Sequence, residues 1–136
     1  MAQGCAAKAA VLRVIIPAAG SSARMRGGDK LLELVAGEAM LRRQARLACA
    51  VSGDVVVTLR EPDPSRRRCL AGLPITVIEV GDASEGMAAS LRAACAGAAT
   101  AIMVLPADMP ELDADDLRLL MGRFDQEPQA IWRGAA

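Results

Sequence analysis

Short apolar runs alternate with helically patterned segments along the whole chain. Runs rich in Val, Ile, Leu and Ala, bounded by turn-forming residues, predict buried β-strands. These strands are predicted at about residues 11–16, 55–59, 74–80 and 99–105, with a fifth beginning at 129–132. Apolar residues at helical spacing predict helices at about 39–51, 62–70, 86–95 and 113–124. Asp113 stands where it would cap the last helix.

Strands that alternate with helices predict a mainly parallel sheet with helices on both faces, the doubly wound α/β architecture. In such sheets ligands bind beyond the carboxyl ends of the strands. Two predicted strand ends carry polar chemistry, in the segments 17–30 and 106–110. If the first and fourth strands are neighbours, these segments face each other across one crevice. That juxtaposition is the central structural expectation.

Length and charge restrict the class of protein. The 136 residues suit a single domain, 1–136, whose residues 1–9 form a loose tail. Sixteen basic residues balance sixteen acidic ones, which argues against nucleic acid or an anionic membrane as a partner. The basic run Arg66–Arg68 is predicted to be the solvated face of a short helix.

The cysteine and histidine content narrows the chemistry. There is no His and no C-x-x-C pair, so zinc sites of the usual ligand sets are not expected, nor are His-based nucleophile pairs. Cys49 and Cys95 lie in apolar helical patterns and are predicted to be small buried hydrophobes. No segment has the apolar length of a membrane span or the pattern of a secretory signal, which predicts a cytoplasmic protein with reduced thiols.

The segment after the first strand reads PAAGSSARMRGGDK and ends at Lys30. It is not a Walker A loop, because Leu31 rather than Ser or Thr follows the lysine, and Gly20 lacks the partners of a Rossmann fingerprint. One interpretation is an ordinary surface loop with unremarkable charges. The other is a polyanion site, in which small residues expose N–H groups, Arg24 forks onto phosphate oxygens and Lys30 supplies a point charge at the α-phosphate. The exposed N–H groups would be those of Ala18, Ala19, Gly20 and Ser21.

Two further segments carry candidate chemistry. Asp108 lies between Pro106 and Pro110 after the fourth strand, as either a turn residue or a ligand for Mg²⁺. The turn interpretation is weakened because Asp113 is better placed to cap the following helix. The segment 85–90, EGMAAS, follows the third strand; it is most simply a helix start, although its N–H groups could contact a base or phosphate.

Together these segments resemble a known family. AAGSSARMRGGDK resembles the A-A-G-x-S-x-R-M-x(n)-K signature of nucleotidyltransferases, LPADMP resembles their L-x-D-M-P segment, and EGMAASLRA is similar to their E-G-M-x-x-S-L-R stretch. In this order they resemble the molybdenum cofactor cytidylyltransferase-like branch, the MobA-like NTP transferases. The resemblance implies a Rossmann-like, GT-A-like three-layer sandwich with a mainly parallel sheet.

The resemblance also implies roles for individual residues. Arg24 and Lys30 match the cations that bind the triphosphate, and Asp108 matches the carboxylate that holds Mg²⁺. Six residues match the parts of the family that surround the nucleotide: Ala18, Ala19, Gly20 and Ser22 in the loop, and Gly86 and Ser90 near the base and ribose.

The implied reaction is transfer of a nucleotidyl group from an NTP to a terminal phosphate, with release of pyrophosphate. In this branch Ala-Ala-Gly goes with CTP more than GTP, which implies the molybdopterin cofactor phosphate as acceptor and a molybdoenzyme or its chaperone as a protein partner. Two alternatives are a nucleotidyltransferase for a sugar or polyol phosphate, and a catalytically impaired nucleotide- or cofactor-binding module. Family members continue with further strands beyond this length, so the resemblance implies a chain truncated at its C-terminus, with poor or absent catalysis and dimerisation through an open sheet edge.

Overall fold

A computed structural model of the chain describes residues 12–19, 24–25, 28–60, 62–81, 87–95, 101–128 and 131. Eight strands lie within these ranges: β1 (Leu12–Ala18), β2 (Arg24–Met25), β3 (Gly28–Asp29), β4 (Leu34–Val35), β5 (Glu38–Ala39), β6 (Asp54–Arg60), β7 (Thr76–Val80) and β8 (Ala101–Val104). The α-helices of the same ranges are α1 (Met40–Val51), α2 (Pro64–Cys69), α3 (Met87–Ala94) and α4 (Ala114–Gln126), and a 3-10 helix covers Lys30–Leu32.

The four longer strands form one parallel sheet in the order β7-β6-β1-β8. Ile15 of β1 pairs with Val56 on one side and Val104 on the other, so β1 is an interior strand. The predicted neighbours, the first and fourth strands, are therefore adjacent. Every residue from Val55 to Leu59 is buried, which confirms that the continuous apolar run marks a strand covered on both faces.

The sheet has helices on both faces, which gives the α/β three-layer architecture that the alternating pattern predicted. On one face Val14 and Ile16 pack in the main core with Leu41 of α1 and Leu117 of α4. On the other face Ile15 packs in a smaller cluster that includes residues of β6 and α3. The alternation of strand side chains between the two faces explains why neighbours in sequence belong to different clusters.

Local chemistry fixes the ends of two elements. The Asp113 side chain accepts from the Asp116 backbone N–H (2.9 Å) and the Asp116 side chain accepts from the Asp113 N–H (3.0 Å), a capping box that confirms the predicted start of α4. Between β4 and β5 the chain turns at Ala36 and Gly37, with φ of 54° and 85°. These left-handed values suit the two-residue hairpin turn, in which glycine is the favoured second residue.

Two predictions about individual residues are wrong. Arg66 is completely buried, and only Arg67 and Arg68 of the basic run are exposed, because α2 turns its third residue toward the end of β1. Cys95 is exposed because it follows the last residue of α3, whereas Cys49 is half-buried against the main core.

Other predictions fall where the structure gives no description. The tail 1–9 and most of the fifth strand at 129–132 lie outside the described residues. Among the described residues, no helix combines the length and the apolar character needed to cross a membrane.

Candidate functional site

The carboxyl ends of β1 and β8 lie side by side. The Leu105 backbone N–H, immediately after β8, donates to the Ile15 carbonyl of β1 at 2.9 Å, which extends the pairing one residue past the strand. Ala18 and Ala19, at the end of β1, are buried. Asp108 follows β8 in an exposed turn, anchored by the buried Ala107. We call residues 18–30, which match the nucleotidyltransferase signature, the signature loop. The structure thus brings the start of the signature loop and the candidate metal ligand to one edge of the sheet.

Lys30, at the other end of the signature loop, is the first residue of the 3-10 helix and is half-buried. The helix begins here because the Asp29 side chain accepts from the Leu31 backbone N–H at 3.1 Å and because Leu31 is buried in the main core. The Glu33 N–H closes the turn on the Lys30 carbonyl at 3.2 Å. Lys30 is therefore held by a capped turn that is anchored in the core.

The other predicted site residues are placed less fully. The backbone of Arg24 lies in β2, which pairs antiparallel with β3 so that Arg24 stands opposite Asp29. Ser90 lies within α3. Four predicted nucleotide-binding residues fall outside the described residues: Gly20, Ser21, Ser22 and Gly86.

A buried arginine at the base of the signature loop was missed by the sequence interpretation. Arg66 donates to both carboxylate oxygens of Asp29, from Nε at 2.7 Å and from Nη2 at 2.8 Å, and from Nη1 to the Ala18 carbonyl at 2.7 Å. Asp63 caps α2 by accepting from the Arg66 backbone N–H at 3.3 Å, and its other oxygen lies 3.6 Å from Arg66 Nε. The signal for this role was the order Asp63-Pro64, an N-cap followed by proline, which fixes where α2 begins.

A buried glutamine holds the segment that carries Asp108. Gln44 lies on the core-facing side of α1 and is completely buried. Its Nε2 donates to the Pro106 carbonyl at 2.9 Å, two residues before Asp108. The sequence signal for this residue was a single polar position on the apolar face of an amphipathic helix.

One buried hydroxyl lies near the same edge. Thr58 of β6 pairs with Pro17 of β1 and is completely buried, and its Oγ1 has no hydrogen-bond partner within the described ranges. Buried hydroxyls are usually paired, so Thr58 marks a local cost in stability.

The exposed carboxylate of Asp108 is an oxygen ligand of the kind that suits a hard cation. Nowhere in the part of the chain that the structure describes do three or more His, Cys, Asp or Glu residues come together as a metal cluster. Mg²⁺ commonly takes one or two carboxylates from the protein and completes its shell with phosphate oxygens and water. An exposed aspartate at the edge of the sheet fits that arrangement.

The chain is a parallel α/β sandwich with the Rossmann-like, GT-A-like nucleotidyltransferase fold, and in sequence the glycine-containing loop follows the interior strand β1. The sequence model of one protein family, the MobA-like NTP transferase domain, matches residues 14–135, and the chain belongs to that family. Comparison with curated protein sequences gave no match.

Solved structures share this fold. Rv0371c from Mycobacterium tuberculosis is 27% identical with a TM-score of 0.70, over 85% of this chain and 60% of that one. A second structure of Rv0371c, in complex with manganese, is matched at 25% identity and a TM-score of 0.60, over 82% and 58% of the two chains.

Two further structures are more distant in sequence. A nucleotidyl transferase from Methanothermobacter thermautotrophicus is 20% identical with a TM-score of 0.68, over 82% of this chain and 57% of that one. A CMP:2-keto-3-deoxy-manno-octonic acid synthetase complexed with CTP is 22% identical with a TM-score of 0.69, over 86% and 48%. The chain spans less than two thirds of the length of each of these structures.

Proposed function

We propose that this chain binds a nucleoside triphosphate, CTP in preference to GTP, and transfers the CMP group to the phosphate of a molybdopterin-type cofactor. The observation that carries the proposal is the pairing of β1 with β8, since it brings Ala18, where the signature loop begins, and the segment of Asp108 to one edge of the sheet. Membership of the MobA-like NTP transferase family supports the reaction class.

The proposed chemistry needs no general base. An oxygen of the acceptor phosphate, already an anion, attacks the α-phosphorus of CTP; the bond from that phosphorus to the bridging oxygen breaks, and pyrophosphate leaves with the electron pair. Lys30 stabilises charge that develops on the α-phosphate, Arg24 binds the outer phosphates, and the N–H groups of residues 18–22 surround the triphosphate. Catalysis is then positioning together with charge neutralisation.

Asp108 would hold Mg²⁺ in this site. When bound, the ion neutralises phosphate oxygens and favours departure of pyrophosphate. The manganese complex of Rv0371c supports a divalent cation in a related chain. Asp108 itself contributes an exposed carboxylate beyond the carboxyl end of β8, on the side of the sheet where β1 leads into the signature loop.

The choice of nucleotide and acceptor follows the branch signature. Ala18-Ala19-Gly20 supports CTP, and the likeness in fold to a synthetase complexed with CTP is consistent with it. A molybdoenzyme or its chaperone would receive the product. The reaction belongs in the cytoplasm, where nucleoside triphosphates are available.

Calorimetric titration of the full chain with CTP and GTP, with and without Mg²⁺, tests the binding step. We expect CTP to bind more tightly in the presence of Mg²⁺, Lys30→Ala to weaken binding about tenfold or more, and Asp108→Asn to abolish the Mg²⁺ dependence. Arg68→Ala and Asp125→Asn, on exposed helix positions, are the matched controls. The absence of binding by both nucleotides would contradict the proposal.

Pyrophosphate release tests the transfer step separately. Molybdopterin, a sugar phosphate and a polyol phosphate are offered in turn to the CTP-loaded chain. Release with molybdopterin alone supports the proposed acceptor. Release only with a sugar or polyol phosphate would replace that acceptor, and binding without release would leave a nucleotide-binding module.

A further inference from the structure

We propose that Arg66 is the positioning residue of the nucleotide site, acting through Lys30. The proposal rests on the proposed function, because it assumes that the signature loop binds a nucleotide. It assigns a role to a residue of α2, well outside the loop, that none of the family motifs contains.

The guanidinium group of Arg66 contacts both ends of the signature loop. One end is the Ala18 carbonyl, which accepts from Nη1 at 2.7 Å. The other is the Asp29 carboxylate, which accepts from Nε and Nη2 in a bidentate pair at 2.7 and 2.8 Å. One rigid guanidinium therefore links Ala18 to Asp29, a geometry that arginine provides and lysine does not.

The Asp29 carboxylate connects Arg66 to the 3-10 helix that begins at Lys30. Its Oδ1 accepts from the Leu31 N–H at 3.1 Å as the cap of the 3-10 helix, and the same oxygen accepts from Arg66 Nη2. Arg66 therefore orients the group that determines where the helix of Lys30 begins. Lys30 follows Asp29 immediately as the first residue of that helix, so we expect a change in the Asp29 carboxylate to displace the Lys30 backbone.

Burial separates this role from direct phosphate binding. The Arg66 side chain has 0% exposed area, and the side chains of Asp29 and Asp63 have 7% and 3%. A guanidinium without exposed surface is not positioned to meet a phosphate from solvent. It is surrounded instead by carboxylates and a backbone carbonyl that fix its orientation.

A double-mutant cycle on nucleotide affinity tests the proposal. The variants are Arg66→Lys, which keeps the charge but not the fork, Lys30→Ala, and the pair, with Arg68→Lys as the matched control on an exposed position of α2. Each full-length chain is titrated with CTP and Mg²⁺ at a temperature where circular dichroism shows it folded. We expect Arg66→Lys to weaken binding about tenfold alone and less than twofold when Lys30 is already alanine.

The other outcomes are decisive as well. Wild-type affinity in Arg66→Lys, or the same tenfold loss in both backgrounds, would overturn a role through Lys30. Failure of the wild-type chain to bind either nucleotide would instead overturn the proposed function. If Arg66→Lys does not fold, Asp29→Asn takes its place in the same cycle, because it keeps the size of the cap while weakening the charged pair.

Hydrogen exchange of the ligand-free chain gives a second readout. We expect Arg66→Lys to speed exchange at the Leu31 and Glu33 amides, which close the 3-10 helix, and to leave the amides of α4 unchanged. Equal acceleration in the 3-10 helix and in α4 would indicate loss of global stability only, and would contradict a positioning role.

Discussion

The strongest stability prediction concerns Gln44, whose side chain holds the segment leading to Asp108. In Gln44→Leu a side chain of similar size replaces the amide, so the change removes a donor without leaving a large cavity. The lost contacts are the 2.9 Å hydrogen bond from Nε2 to the Pro106 carbonyl and the longer one, 3.4 Å, that Oε1 accepts from Arg43 Nη1. Gln44 is fully buried but Pro106 is exposed, so the released carbonyl is only partly shielded from water.

The expected cost follows from the burial of the contact. Leaving a buried polar group unpaired costs about 1–3 kcal/mol, and this part-buried contact belongs in the lower part of that range. We therefore expect the free energy of unfolding to fall by about 1–2 kcal/mol. For a chain of this length that corresponds to a Tm lower by roughly 3–8 °C.

Urea unfolding followed by circular dichroism measures the change, and Gln126→Leu is the matched control. Gln126 is exposed at the end of α4, so its substitution is expected to stay within about 0.5 kcal/mol of wild type. The Mg²⁺-dependent part of CTP binding should also weaken in Gln44→Leu, because Asp108 lies two residues from the released carbonyl. A Gln44→Leu chain as stable as its control would show that the Pro106 carbonyl does not depend on this donor.

Three further predictions use the same physical arguments. Ala36→Asn should raise the free energy of unfolding by about 0.5–1 kcal/mol, because Ala36 has φ of 54° in a turn that favours asparagine. A fall in Tm would contradict this prediction. Thr58→Val should raise the free energy of unfolding by about 1 kcal/mol, since it removes a buried hydroxyl with no partner in the described part of the chain. An unchanged midpoint of urea unfolding would contradict this prediction. Burial raises the pKa of the Cys49 and Cys69 thiols, so at pH 8 iodoacetamide should modify them more slowly than the exposed Cys95. Peptide mass spectrometry measures the three rates, and equal rates would refute this prediction.

The elements that the sequence predicted well are those with local causes. The run Val55–Leu59 is apolar except for Thr58 because β6 is covered on both faces, and it was recognisable without knowledge of its neighbours. The start of α4 was equally local, since Asp113 and Asp116 satisfy each other within four residues. The adjacency of the first and fourth strands was predictable because the α/β pattern leaves few topologies.

The residues whose roles could not be predicted from the sequence have partners that lie far from them along the chain. Arg66 meets Asp29 from 37 positions away, and Gln44 meets Pro106 from 62 positions away. In sequence, Arg66 is the first of three arginines, and such a run usually lies in solvent. Only the tertiary structure selects which of the three is buried, because the choice depends on a carboxylate and a carbonyl outside α2.

The interior position of β1 has a consequence for how the chain folds. Arg13 of β1 faces Asp54 of β6 across 41 positions, whereas Met103 of β8 reaches β1 across about 90. Neither neighbour of β1 is local, and parallel pairings over such separations form slowly. During synthesis one edge of β1 stays unpaired until β8 has been made. We therefore expect β1, which leads into the proposed nucleotide site, to be among the first strands made and among the last to reach its native surroundings.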